Sequence, residues 1–227
     1  MEVIYEDNHL IAVNKTASEI VQGDKTGDKP LSEVLKQYLK EKYAKPGNVF
    51  IGVPHRLDRP VSGLVLFAKT SKALERLNEM FRNGDIRKTY WAIVKTSSDM
   101  PVSAELTHYL VRNEKQNKSY AYTHEVPHSK KAVLTYRLLA RSDRYSLLEV
   151  ELKTGRHHQI RCQLAKVGYP IKGDLKYGYP RSNPDGSISL HARRLQFVHP
   201  VSKENIDLIA STPATETLWK VFQLAAE

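Results

Sequence analysis

Ala132-Val133-Leu134-Thr135-Tyr136-Arg137-Leu138-Leu139-Ala140-Arg141, then Ser142-Asp143-Arg144, then Tyr145-Ser146-Leu147-Leu148-Glu149-Val150-Glu151-Leu152-Lys153 sets two alternating runs on either side of a short polar turn. Alternation is the two-residue period of a strand with one buried face, and a turn this short joins antiparallel neighbours. The chain opens in the same way. Val3-Ile4-Tyr5 and Leu10-Ile11-Ala12-Val13 flank the turn-forming Glu6-Asp7-Asn8-His9, which reads as a first hairpin. Lys88 to Val94, rich in aromatic and β-branched residues, and His191 to Val198 add further strands.

Helices fill part of the space between them. Leu31, Val34, Leu35, Tyr38 and Leu39 recur at helical spacing, with lysines and glutamates between them. Ser71 is placed to cap a second helix with the stripe Leu74, Leu77, Met80 and Phe81, and Gly84 stands where a left-handed C-terminal residue is wanted. A third runs from His158 to Val167, entered through Thr154-Gly155-Arg156 and ended by Gly168. Thr212-Pro213 starts the last, with Leu218, Val221, Phe222 and Ala225 on one side. Residues 96 to 131 are polar and irregular by comparison and read as an insertion or a flexible flap. Strands outnumber helices and are often joined by hairpins, so the expected fold class is α+β, a mixed, mostly antiparallel sheet flanked by helices. With no repeat and no linker-like stretch, residues 1 to 227 read as one continuous catalytic domain.

Composition narrows the function classes. Lys and Arg total 35 against 25 for Asp and Glu, a formal net charge of +10, which suits a protein that meets polyphosphate. Arg56, Arg59, Arg87, Lys88, Arg156, Arg161, Arg193 and Arg194 lie in or beside motif-like segments, and there is no basic amphipathic helix of the membrane-surface kind. Nucleic acid is therefore the leading partner. The single cysteine, Cys162, excludes an intramolecular disulfide and a thiolate metal cluster. The N-terminus lacks a signal-peptide layout, and no apolar stretch approaches the roughly 20 residues that span a bilayer. A soluble cytoplasmic protein with no membrane contact is expected, and the compact length without heptads points to a monomer.

The densest chemistry lies at His55-Arg56-Leu57-Asp58-Arg59-Pro60-Val61-Ser62-Gly63, followed at once by the apolar Leu64 to Ala68. One carboxylate sits between two guanidiniums on a loop shaped by proline and glycine and anchored by a buried strand. Arg56 and Arg59 should keep Asp58 ionised, which fits a nucleophile or charge stabiliser better than a proton donor. Taken alone, such a cluster is more often a structural ion pair at a loop edge. Other chemistries lack support. Of nine histidines, the adjacent His157 and His158 point about 100° apart on a helix and cannot chelate as an i, i+4 pair does. They hydrogen-bond within a turn or contact phosphate. No phosphate-binding glycine loop, dinucleotide fingerprint or serine elbow is present, and Cys162 sits in an apolar helix pattern.

At this point the motifs resemble a known family. His55 to Gly63 resembles the catalytic motif of the RluA-type pseudouridine synthases, Lys88-Thr89-Tyr90 is similar to that family's second motif, and Gly155-Arg156-His157-His158-Gln159-Ile160-Arg161 to its third. Lys172-Gly173-Asp174 with Tyr177-Gly178, and Leu190-His191-Ala192, are similar to later signatures. The resemblance runs from the first hairpin to about Pro200. It implies the pseudouridine synthase fold and an isomerase that converts uridine in ribosomal or transfer RNA to pseudouridine without cofactor or metal. Carried over by position, Asp58 is the essential carboxylate, attacking the sugar or the base ring or assisting proton removal from the sugar. Arg161 matches the basic residue that pairs with it, Tyr90 the aromatic that lies against the target base, Ile160 a residue packed beside the ring, and Arg56 the arginine that fills the gap left by the extruded uridine. Arg59, Arg156 and His158 complete the expected substrate-binding set. Val61 stands where the family often has threonine, Asn14 to Ser18 departs from the usual turn after the first hairpin, and the catalytic pattern begins almost at Met1, so a catalytic domain without the S4-type RNA-binding domain of larger relatives is expected.

The physics fits that implication. A uridine in a stem hides its glycosidic bond and must swing out at a cost of a few kcal/mol, offset by stacking and phosphate contacts. Hydrolysis of such a bond usually takes two carboxylates, whereas an isomerase that retains both fragments needs no activated water. Two other readings compete. One is an RNA-binding protein without turnover; the other is a nucleoside hydrolase with Glu75, Asp85 or Asp174 as its second carboxylate. Asp174 otherwise reads as a turn residue, Tyr177 and Tyr179 as loop packing or RNA stacking, and Arg193 and Arg194 as phosphate contacts or a solvated edge.

Overall fold

A computed structural model describes residues 1 to 226. In chain order the elements are β1 (Glu2–Glu6), β2 (Leu10–Lys15), α1 (Leu31–Lys42), β3 (Ser62–Ala68), α2 (Ser71–Asn83), β4 (Arg87–Lys95), β5 (Ser103–Asn113), β6 (Lys118–Tyr122), β7 (Lys130–Arg141), β8 (Tyr145–Leu152), α3 (Gln159–Lys166), β9 (Leu190–Val198), β10 (Asn205–Ile209) and α4 (Thr217–Ala226). The fold is α+β, with mostly antiparallel strand pairing, as the hairpin grammar predicts. The chain divides into two compact units, Met1–Arg87 with Ala192–Ser211, and Lys88–His191 with the segment from Thr212.

In the first unit the strand order is β1-β2-β3-β9, and β10 pairs antiparallel with β9. The β1–β2 hairpin forms where Asp7 Oδ1 accepts the backbone N–H of both His9 and Leu10 at 2.7 Å, an aspartate turn that explains the Glu-Asp-Asn-His sequence. Every residue of β3 is buried, and Leu10, Ala12, Leu64 and Leu66 form a core with Leu77 of α2 and with Leu195 and Phe197 of β9. At the start of β3, Gly63 adopts φ 113°, and a Cβ there would stand 2.4 Å from the Ala192 carbonyl oxygen of β9. Only glycine permits this backbone approach. Helix α2 is capped by Thr70, whose side chain accepts from Ala73 N–H, one residue earlier than predicted, and it ends on Gly84 at φ 81°.

In the second unit the order is β4-β8-β7-β5-β6, and β4 with β8, β8 with β7, β7 with β5 and β5 with β6 all pair antiparallel. The stretch expected to be irregular, residues 96 to 131, instead contains the β5–β6 hairpin, with Leu110 opposite Ala121 and Arg112 opposite Ser119. Its inward positions include the polar His108 and Ser119, so the apolar alternation of a half-buried strand is faint in its sequence. His108, Leu110 and Ser119 turn inward under α3, while the polar residues between them face out. The last helix starts at Thr217, not at Thr212-Pro213. It buries Trp219 and Phe222 against Trp91, Ile93 and Leu147 with the partly buried Leu218 on the same cluster, and it leaves Val221 and Ala225 exposed, so the expected stripe holds at Leu218 and Phe222 while Trp219 replaces its other half.

Candidate active site

The Asp58 loop belongs to the first unit. Val61 N–H donates to the Asp58 carbonyl at 3.0 Å, closing a turn over Arg59-Pro60 that delivers the chain into β3. Leu57 is buried and anchors the loop, Asp58 is half-buried, and Arg56 is exposed. His55 accepts the Leu66 backbone N–H through Nε2 at 2.9 Å and stacks on Phe81, with ring centroids 4.5 Å apart. Beneath the loop lies Lys15, the last residue of β2. It is 1% exposed, and its Nζ donates to the carbonyls of Val61 (2.6 Å), Thr16 (2.9 Å) and Arg59 (3.0 Å). One ammonium thus ties β2 to the backbone on both sides of Pro60. Burial pushes its pKa down from 10.5 to about 8, against the opposing pull of the Glu19 and Asp58 charges. Arg59 turns its guanidinium to the preceding loop, reaching Asp28 at 2.7 Å, Thr26 Oγ1 at 2.8 Å and Asp24 at 3.2 Å.

The other motifs lie in the second unit. Tyr90 sits half-buried in β4 opposite Val150 of β8, between the buried Thr89 and Trp91. The third motif turns into α3 through His158, which holds φ 52°, a left-handed conformation unusual for a residue other than glycine. Gln159 reaches back to brace that turn. Its Oε1 accepts from Arg156 N–H (2.9 Å) and the Thr154 hydroxyl (2.8 Å), and its Nε2 donates to the Val133 carbonyl (3.1 Å). Ile160 and Arg161 are buried, while Arg156 is exposed and donates from Nε to the Lys131 carbonyl at 3.1 Å. Arg161 forms a two-pronged ion pair with Asp174, Nε to Oδ2 at 2.7 Å and Nη2 to Oδ1 at 2.9 Å. Its Nη1 lies 3.2 Å from His158 Nε2, and the Tyr177 ring centroid is 5.1 Å from its Cζ. The Tyr177 hydroxyl is 2.8 Å from His158 Nδ1 and accepts the Ser119 backbone N–H of β6 at 2.8 Å; burial drives its pKa well above the ordinary tyrosine range.

A family model described as RNA pseudouridylate synthase matches residues 9 to 166, a span that contains Asp58, Tyr90 and Arg161. The chain belongs to that family. Its relatives include a tRNA pseudouridine synthase C of Vibrio cholerae, 33% identical over 90% of this chain and 88% of that protein. A ribosomal large subunit pseudouridine synthase D of Zymomonas mobilis is 30% identical over 99% of this chain and 74% of that protein. Among solved structures, human RNA pseudouridylate synthase domain containing 4 superposes with a TM-score of 0.79 at 22% identity, covering 99% of this chain and 92% of that one, which establishes the fold. The resemblance read from the motifs is thereby shown at family level, and the enzyme class is that of an RNA pseudouridine synthase, an isomerase.

Within the first unit the structure brings together Asp58, Arg59 and Lys15; within the second, Arg156, His158, Ile160 and Arg161 share one turn and helix, and Tyr90 lies on β4. Arg59, expected beside Asp58 as a charge partner, has its fork on the carboxylates of Asp24 and Asp28 in the preceding loop. Arg194 pairs with Asp207 across the β9–β10 hairpin. Lys15 has no place among the expected site residues, and Asp174 enters there only as a turn residue or as the second carboxylate of the hydrolase reading. Lys15 shares the phase of Ile11 and Val13, so a lysine at an inward position of an apolar strand was the available signal. Asp174, taken as a turn residue, is 1% exposed; a carboxylate directly after a glycine at φ 87° announced a turn but not its partner. Among the described residues, no group of three or more His, Cys, Asp or Glu side chains offers a metal-binding set, and no helix is long and apolar enough to cross a membrane.

Proposed function

We propose that this protein isomerises particular uridines in structured ribosomal or transfer RNA to pseudouridine, on a nucleotide swung out of its stack, with Asp58 as the essential carboxylate. The bond from uracil N1 to ribose C1′ breaks and the bond from C5 to C1′ forms. C5 gives up its proton and N1 gains one, so the sum of atoms is unchanged. Tyr90 and Ile160 lie against the base in this reading, and Arg161 serves the same reaction as a fixed positive charge. Arg56 fills the space the uridine leaves. Arg156 and His158 stand at the turn that meets the RNA backbone. RNA is the partner, no cofactor takes part, the working form is a monomer in the cytoplasm, and residues 1 to 227 act as one catalytic domain.

The observation that carries this reading is the support given to the Asp58 loop. A charged lysine is almost wholly buried to hold three carbonyls, two of them on Arg59 and Val61 in the turn that follows Asp58, a costly arrangement for an ordinary surface turn. Relatives named for tRNA and for large-subunit ribosomal RNA support both RNA classes as substrates. The hydrolase reading needs a second carboxylate free to activate water. Asp174 has both oxygens on Arg161, and Glu75 and Asp85 lie exposed on and just after α2.

The test is incubation with tRNA and ribosomal RNA carrying tritium at uridine C5. Tritium release with pseudouridine in the digest is expected. Free uracil would replace this reading by hydrolysis, and binding without release would leave a non-catalytic RNA-binding protein. Asp58→Asn should abolish release while RNA affinity stays within about threefold, because most affinity comes from phosphate contacts. Normal turnover by that variant would remove Asp58 from its role.

A further inference from the structure

We infer that Asp174 is a positioning residue of the isomerisation, acting through Arg161; the inference rests on the proposed role of Arg161. Arg161 is 5% exposed, and its guanidinium is gripped on three sides. Asp174 takes Nε and Nη2 in a planar fork, the arrangement that fixes an arginine's orientation as well as its position. The Tyr177 ring lies against Cζ, and His158 closes on Nη1.

The protons of this cluster follow from its donors. Arginine nitrogens only donate, so His158 Nε2 accepts from Nη1. The single ring proton of neutral His158 is then on Nδ1 and is directed at the Tyr177 oxygen. A second proton, on Nε2, would face the guanidinium. Arg161 thus sets the imidazole tautomer, and the imidazole in turn fixes Tyr177, which is also held by the Ser119 N–H. Asp174 itself is steadied by its backbone. Its N–H donates to the Ile171 carbonyl at 3.0 Å, and its carbonyl accepts from Tyr177 (3.2 Å) and Tyr179 (3.0 Å). Gly173 makes that turn possible, since a Cβ there would come within 2.8 Å of Asn183 and of the Ser187 carbonyl.

A buried ion pair adds little net stability compared with an apolar substitute, so its value here is orientation. With both carboxylate oxygens committed, Asp174 is no proton carrier. It holds Arg161 in one rotamer, and a guanidinium displaced by about 1 Å would cost up to about a hundredfold in rate.

The experiment compares the full chain with Arg161→Ala, Arg161→Lys, Asp174→Asn and the Arg161→Lys/Asp174→Asn double variant, measuring kcat and KM on an RNA substrate and folding by circular dichroism. Asp174→Asn should lower kcat by about ten- to a hundredfold with KM within about threefold. In the Arg161→Lys background the same change should cost less than about twofold, the non-additivity expected of groups that act as one. A folded Asp174→Asn with normal kcat, or with losses that add to those of Arg161→Lys, overturns the inference while inactive Arg161→Ala leaves the role of Arg161 standing. Full activity of Arg161→Ala overturns both. If Asp174→Asn fails to fold, hydrogen exchange at the Arg161 Nε–H of the unaltered protein decides: protection about tenfold or more above Arg156 Nε–H supports the fork, and equal exchange overturns it.

Discussion

A lysine at the inward phase of a buried strand must either lose its proton or find oxygens, and Lys15 finds three. Lys15→Met keeps the volume but leaves those carbonyls without their donor, so unfolding free energy should drop by about 2 to 4 kcal/mol and kcat should fall as the Asp58 loop loosens. Urea denaturation and turnover at saturating RNA measure the two. The shifted pKa adds a signature with opposed signs. Between about 8 in the folded chain and 10.5 in the unfolded one, the unfolded chain binds more protons, so stability relative to Lys15→Met should rise with pH across that window and stay level below it. Activity should move the other way above about pH 8, because a neutral amine has only two protons for three carbonyls. An unfolding midpoint whose offset from the variant is flat from pH 7 to about 10.5 would contradict the buried ammonium.

At the scale of elements, α1 is moored to the first hairpin by Glu6. Its carboxylate accepts from Lys42 (2.7 Å), Tyr43 (2.6 Å) and Lys69 (3.0 Å). Burial alone would raise its pKa, but these donors outweigh it and bring it from 4.5 to about 2. The stability it supplies is therefore complete above about pH 4.5 and disappears as pH falls toward 2. Glu6→Gln should cost about 1 to 3 kcal/mol at pH 7 and much less near pH 2, read from denaturation midpoints at both. The β3–β9 contact is stricter. Gly63→Ala places a methyl group on the Ala192 backbone at a left-handed φ, and a loss of about 3 kcal/mol or more is expected in thermal unfolding. A variant with unchanged Tm would mean that the strands separate there at little cost. The β5–β6 hairpin shows where sequence signals weaken. Its period-2 pattern is present, but lysines, tyrosines and glutamates on the solvated face drown it, and only the packing of α3 reveals which face is inside.

For the whole molecule the dominant quantity is charge. A net +10 predicts RNA affinity that falls steeply and linearly on a log–log plot against salt, with a slope set by the number of phosphates neutralised. Filter binding between 50 and 200 mM salt, an interval in which about six contacts would cost about a thousandfold, tests it. A flat response would argue against an extensive phosphate interface. The sequence by itself determined the fold class, the two hairpins, the three ordered motifs and the basic character, because side-chain period, turn chemistry and net charge are properties of neighbouring residues. Only the tertiary structure decided which charge meets which: Lys15 under the Asp58 loop, Arg59 on Asp24 and Asp28, and Arg161 on Asp174. Each pairing joins residues at least 13 positions apart and so exists only once the chain has folded, and for the buried Lys15 and Arg161 packing has also removed the water that would otherwise serve the ion.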